Sequence, residues 1–184
     1  MRIGIIGAGR IGQVHARSVA ENPDTELVVV SDPNVAGAQA LADKYGARAV
    51  ADAADVINAD DVDAVIICSP TPFHGEQILA SAQAGKAALC EKPLAMDSAD
   101  ADAIKKGLEG LDVKVMMGFN RRFDPGFRAA KDAAERGELG TVEQVTIISR
   151  DPAAPPKEYI AVSGGIFKDM TIHDFDMARF QLGD

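Results

Sequence analysis

An apolar run at Ile3–Ile6 leads directly into Gly7-Ala8-Gly9-Arg10-Ile11-Gly12. A helical pattern then carries the chain to a second apolar run, Glu26–Val30, which ends at Ser31-Asp32. Strand, glycine-rich turn, helix, strand and acid thus follow one another in a single unit, with the acid 20 positions past the third glycine. A bare G-x-G-x-x-G carries little. Set between a strand and a helix, with that acid beyond, it has the context of a βαβ dinucleotide-binding unit.

Each glycine has its own task in such a turn. Gly7 allows the sharp exit from the strand, Gly9 lets backbone approach a pyrophosphate, and Gly12 lets the new helix pack close to the sheet. The N–H groups around Arg10 and Ile11 then open the helix, where the dipole favours negative charge. A tight turn without a ligand is the plainer alternative. Asp32 can accept both ribose hydroxyls of an adenosine and would repel a 2′-phosphate, and Pro33 and Asn34 supply no cation to offset it. NAD is therefore expected rather than NADP. Arg48 could still reach the pocket, and Asp32 before Pro33 is also an ordinary turn former.

With 184 residues the chain holds one full domain and part of another. A net charge of −9 with no basic stripe argues against a nucleic-acid partner. No apolar run reaches the roughly 18 residues of a membrane span. Met1 stands one residue before the first strand, which leaves no room for a signal peptide. Cys68 and Cys90 lie in or at the ends of apolar runs and lack the paired spacing of a zinc site, so no metal is expected. A reducing cytoplasm fits.

Beyond Asp32, strands and helices alternate. Ala36–Tyr45 reads as a helix, Arg48–Val50 as a short strand, Ala54–Asn58 as a short helix and Ala64–Cys68 as a doubly buried strand. His74–Ala84 is helical, Ala87–Cys90 a strand, Ser98–Gly107 a helix capped by Ser98 or Asp97, and Lys114–Met117 a strand. The expected fold is α/β, a Rossmann-type doubly wound parallel sheet over residues 1–120. Residues 121–184 read as the incomplete start of a second α/β domain. There Pro125–Gly137 is a helix, and Val142–Arg150 alternates like an antiparallel strand of a second sheet. Pro152–Pro156 is an irregular loop, and Ile166–Leu182 a helical run. One strand and two helices are too few to close a sheet, so the chain reads as part of a longer protein.

Ligands of open α/β sheets bind outside the carboxyl ends of the strands. Gly7–Gly12, Ser69–His74 and Glu91–Pro93 occupy such ends. Lys92, after a buried strand, could orient a substrate hydroxyl and stabilise alkoxide charge; it could equally be a solvated surface lysine. In Ile166–Leu182, Asp169 and His173 stand at i and i+4 and so share a helical face, with Asp176 on the same stripe. A histidine titrating near neutrality suits removal of a hydroxyl proton, and a carboxylate one turn away can hold its tautomer. An ordinary polar helical face is the alternative. His15, in the first helix, reads as structural, and His74 as a neighbour of the nicotinamide.

The glycine motif with Asp32, Cys68-Ser69-Pro70-Thr71-Pro72-Phe73-His74, Gly85-Lys86 and Glu91-Lys92-Pro93 together resemble the Gfo/Idh/MocA oxidoreductases. The segments 118–127, 149–160 and 163–180 resemble the inositol 2-dehydrogenase branch. Phe73 departs from the Asn common in the wider superfamily. The resemblance implies a Rossmann domain followed by a domain with an open, largely antiparallel sheet that also mediates oligomerisation, to a dimer or tetramer. It implies that His173 is the general base, that Lys92 orients the hydroxyl and stabilises the ketone oxygen, and that Asp169 binds a neighbouring hydroxyl and tunes both. The bond before Pro93 is often cis in this family. Gly7, Gly9, Arg10, Ile11, Gly12, Asp32, Ser69, Thr71, His74, Glu91 and Lys92 are the candidates to border NAD, and Asn120, Arg122 and Asp176 to contact substrate. The implied reaction is NAD-dependent oxidation of a small polyol, myo-inositol to its 2-keto product (scyllo-inosose). A related sugar or scyllo-inositol oxidoreductase, or an NAD-binding module without turnover, are the alternatives.

Overall fold

The computed structural model describes residues 1–183 apart from 152, 156, 161 and 162. The chain forms two compact units, Met1–Gly118 and Phe119–Asp184.

In the first unit the elements are β1 (Arg2–Ile6), α1 (Arg10–Glu21), β2 (Glu26–Ser31), α2 (Val35–Tyr45), β3 (Arg48–Val50), α3 (Ala53–Ile57), β4 (Ala64–Ile67), α4 (His74–Gln83), β5 (Ala87–Cys90), α5 (Ser98–Gly107) and β6 (Val115–Met117). All six strands are parallel, in the order β3-β2-β1-β4-β5-β6. This is a Rossmann-type sheet, as expected, with its topological switch between β1 and β4. Side chains alternate between its two faces. Ile3, Ile5, Leu27 and Val30 pack with Ala16 and Val19 of α1 and Ala38 and Leu41 of α2. Ile6, Val29, Val65, Ile67 and Cys90 pack with Val56 of α3, Ile78 of α4 and Ile104 of α5. Each such Val, Leu or Ile contributes about 1.5–3 kcal/mol on burial.

Side chains close some helix starts. Asn34 accepts from the Gly37 N–H ahead of α2, and Asp97, not Ser98, accepts from the Asp100 N–H ahead of α5. The start of α1 has no such cap, a difference that matters at the site.

The second unit opens with a 3₁₀ turn, Asn120–Phe123, followed by α6 (Pro125–Glu135), α7 (Lys157–Ile160), α8 (Ile166–Asp169) and α9 (Ile172–Leu182). Two expectations need correction. Val142–Arg150 is described throughout and forms no strand, so the antiparallel second sheet is not observed. A strand is held by its ladder, and among the described residues nothing pairs with this segment; Ile148 is left 73% exposed. The helical run 166–182 is also not continuous. Both the backbone N–H and the hydroxyl of Thr171 donate to the Ile166 carbonyl, at 2.9 and 2.8 Å, which interrupts the regular ladder between α8 and α9. In the expected 152–156 loop, Pro152 and Pro156 lie outside the described residues. Among the described residues no helix is long and apolar enough to cross a membrane.

Candidate active site

The glycine loop is built as its sequence requires. Gly7 takes φ +102°, a conformation that side chains disfavour, and its N–H donates to the Ser31 carbonyl at 2.7 Å. At Gly12 a Cβ would lie 2.0 Å from the Gly7 carbonyl oxygen, so only glycine lets α1 come this close to β1. Gly9 has no atom within 4 Å of where a Cβ would stand, which leaves an open face. α1 begins at Arg10 with no side-chain cap and no acid in its first turn. The N–H groups at its start, at Arg10 and Ile11, therefore retain their capacity for an anion. Asp32 is held beside the loop: Oδ2 accepts from the Ala8 N–H and Oδ1 from the Asn34 N–H, each at 2.8 Å. A carboxylate oxygen has two lone-pair sites, so both oxygens can still accept a ribose hydroxyl. These residues fit the pyrophosphate and ribose of a dinucleotide. Arg48, the cation that could have served a 2′-phosphate, donates twice to Asp61 instead.

The loops at the ends of β4 and β5 adjoin this cradle in the sheet order. Ser69 donates through Oγ to Gln77 Oε1 at 2.6 Å, and Thr71 begins the 3₁₀ turn Thr71–Phe73. His74, expected to border the nicotinamide, is instead 1% exposed, with Nδ1 and Nε2 each 2.8 Å from the carbonyls of Pro93 and Ser69. Its ring ties the two loops together from inside and presents no surface to a ligand. Lys92 follows β5 through Glu91, and the Lys92–Pro93 bond is cis. Glu91 meets His15 of α1, with Nε2 2.7 Å from Oε1. Burial pushes the Glu91 carboxyl up, but the hydrogen bond and charge of His15, with those of Lys92, hold it below its usual value. Cys68 and Cys90 are free thiols; burial pushes both up, Cys90 to about 12, so neither offers a thiolate.

In the second unit, His173 stands in the first turn of α9 and Asp169 ends α8, so the two occupy successive helices rather than one face of one helix. The segment just before α6 grips α9 along its length. The Phe119 ring meets His173 edge-on at 6.3 Å between centroids. Arg121 donates to Asp174 Oδ1 at 2.6 Å and to Ser149 Oγ at 3.2 Å. Arg122 donates to both oxygens of Asp176 at 2.6–3.0 Å, in the forked geometry that suits a guanidinium. Asp176 is 8% exposed, so its carboxylate holds Arg122 rather than facing a ligand directly. Asn120 opens the same 3₁₀ turn. Burial pushes the Asp174 carboxyl up, but hydrogen bonds from Ser149 and Arg121 and the charges of Arg121 and His173 hold it low.

The sequence reading missed Arg121, Ser149 and Asp174 as supports of the His173 helix, and left the Glu91–His15 bond unseen. A signal existed for the last. His15 is three residues past Gly12, on the face of α1 that Gly12, Ala16 and Val19 turn inward. Among the described residues no cluster of three His, Cys, Asp or Glu could hold a metal ion.

The chain is similar to known proteins over its whole length. Residues 1–119 match the Gfo/Idh/MocA oxidoreductase family, NAD-binding Rossmann fold, and residues 127–184 match the Gfo/Idh/MocA C-terminal domain. The chain is 52% identical, over its whole length and 56% of the relative's, to inositol 2-dehydrogenase of Rhizobium meliloti. It is 46% identical, over its whole length and 55% of the relative's, to myo-inositol 2-dehydrogenase of Thermotoga maritima. A crystal structure of a myo-inositol dehydrogenase from Corynebacterium glutamicum superposes on the whole chain and 55% of its own, with TM-score 0.95 and 52% identity. The chain thus spans little more than half the length of the proteins it matches.

Proposed function

Since this chain belongs to the Gfo/Idh/MocA oxidoreductase family and its first unit is that family's NAD-binding Rossmann fold, we propose that the whole protein oxidises myo-inositol to 2-keto-myo-inositol. The observation that carries this reading is the position of Lys92. It follows β5 at the carboxyl end of the sheet, on the side of the glycine loop and Asp32. The identity to inositol dehydrogenases supports the substrate.

NAD, when bound, supplies the hydride-accepting carbon. Lys92 donates a hydrogen bond to the reacting hydroxyl and stabilises the negative charge that grows on its oxygen. His173 removes the hydroxyl proton as the C–H bond breaks with its electron pair and the C=O bond forms. Asp169 binds a neighbouring hydroxyl and tunes Lys92 and His173. Asn120 and Arg122 are further substrate contacts, with Asp176 acting through Arg122. In this reading residues 1–120 bind the cofactor, and 121–184 begin a substrate and oligomerisation domain. The whole protein completes that domain with an open, largely antiparallel sheet, the assembly is a dimer or tetramer, and the cell compartment is the cytoplasm.

NADH absorbance with a panel of inositols and sugars tests the substrate. Myo-inositol is expected to give the highest kcat/KM. Turnover of a pyranose with none of any inositol overturns the assignment, and faster turnover of scyllo-inositol moves it within the class. NAD binding with no turnover of any polyol leaves a binding module. Within the same assay, His173→Ala is expected to lower kcat by about 100- to 10,000-fold with NAD affinity little changed. Undiminished turnover in that variant removes His173 as the base.

A further inference from the structure

Lys92 is bracketed by two histidines. On one side, His74 of α4 holds the Pro93 carbonyl at 2.8 Å. On the other, His15 of α1 holds the Glu91 carboxylate at 2.7 Å, across 76 positions of sequence. The His15 and Glu91 side chains are only 20% and 16% exposed, so little water competes for this bond. Gly118 also lies close to the Glu91 carboxylate, since a Cβ there would stand 3.1 Å from its carboxyl carbon. α1 is the helix whose start faces the cofactor phosphates. The hydrogen bond therefore joins the cofactor-binding helix to the backbone of the residue read as catalytic.

We propose that His15 is a positioning residue for the oxidation: its imidazole fixes the Glu91 carboxylate, and thereby the backbone from which Lys92 reaches the substrate oxygen. The proposal rests on the catalytic reading of Lys92. The remaining NAD contacts of the glycine loop and Asp32 do not depend on it. Loss of the tie thus acts on kcat more than on cofactor affinity, because a small misplacement of a catalytic group is costly while the cradle stays intact.

Two substitutions of the same chemistry and different reach separate this from general damage. His15→Gln places an amide N–H near the position of the imidazole Nε2; His15→Asn carries the same amide but stops short of the carboxylate. In the whole protein, His15→Asn is expected to lower kcat about tenfold with the NAD dissociation constant nearly unchanged, and His15→Gln to recover most of that loss. The double variant His15→Asn/Glu91→Ala is expected to be no slower than Glu91→Ala alone, since both break one connection. Equal kcat for the Asn and Gln variants, a loss located wholly in NAD binding, or multiplicative effects in the double variant each overturn the proposal. The Lys92→Ala variant separates the two layers of argument. If it retains turnover, the catalytic reading and this inference fall together; if it is inactive while His15→Asn is fully active, this inference falls alone.

Discussion

Lys92→Ala in the whole protein is expected to lower kcat by about 100- to 1,000-fold while NAD binds with almost the affinity of the parent. The argument is electrostatic. Oxidation of an alcohol places negative charge on oxygen as the proton leaves, and an ammonium hydrogen-bonded to that oxygen stabilises the charge as it develops. The cofactor cradle is formed by other residues, Gly7–Gly12 and Asp32, whose backbone and carboxylate bonds do not involve Lys92. Lys92→Arg is expected to rescue poorly, because a planar guanidinium cannot replace a compact ammonium at a single oxygen. Initial rates at saturating NAD and polyol, paired with NAD titration by calorimetry, give both quantities. A variant that loses NAD affinity in proportion to its turnover would show Lys92 to be a cofactor contact alone.

The second large effect is expected at two glycines of one loop, which both lose NAD binding but differ in stability. Gly12→Ala places a Cβ 2.0 Å from the Gly7 carbonyl oxygen. Gly7 cannot give way, since it is held at φ +102° by the Ser31 carbonyl, and its own Cα face lies against the Cys68 carbonyl, 2.7 Å from where a Cβ would be. α1 must shift instead, and its first-turn N–H groups move with it. We expect Gly12→Ala to destabilise the first unit by about 1–3 kcal/mol and to weaken NAD binding about 100-fold or more. Gly9→Ala has no such clash: φ −66° suits any residue, and nothing lies within 4 Å of the added methyl. Its methyl covers the face that a pyrophosphate must approach, so binding is lost while thermal stability is kept. Thermal melts and NAD titrations of the two variants check this contrast. Equal stability loss in both would mean that the loop is a fold element only.

Much of this was legible in residue order because the physics is local. The doubly wound sheet follows from apolar runs short enough to be strands, alternating with helices stopped at Gly46 and Gly85, and β4 is buried at all four positions as a two-sided parallel strand must be. Asp32 and Lys92 could be picked out because strands of a parallel sheet end on one edge, so a residue just past a buried run faces the ligand side. The differences between expectation and structure have equally definite causes. Val142–Arg150 alternates like a strand, but alternation states only which face is apolar and supplies no pairing partner. Ile166–Leu182 has helical spacing, which is blind to the Thr171 hydroxyl that claims the Ile166 carbonyl. His74 was placed beside the cofactor because it sits on the correct loop, whereas burial turns its ring inward to two carbonyls.

Residue order alone therefore determined the fold of the first unit, the glycine loop, the acid proposed to favour NAD, and the identity of the lysine and histidine to test. These depend on period, side-chain size and charge within one turn or strand. Tertiary structure decided how those groups are held: His15 on Glu91, His74 on the Pro93 carbonyl, Arg121 on Asp174 and Arg122 on Asp176. A hydrogen bond needs two groups within about 3 Å, and partners 19 to 76 positions apart meet only where packing of the whole unit brings them together.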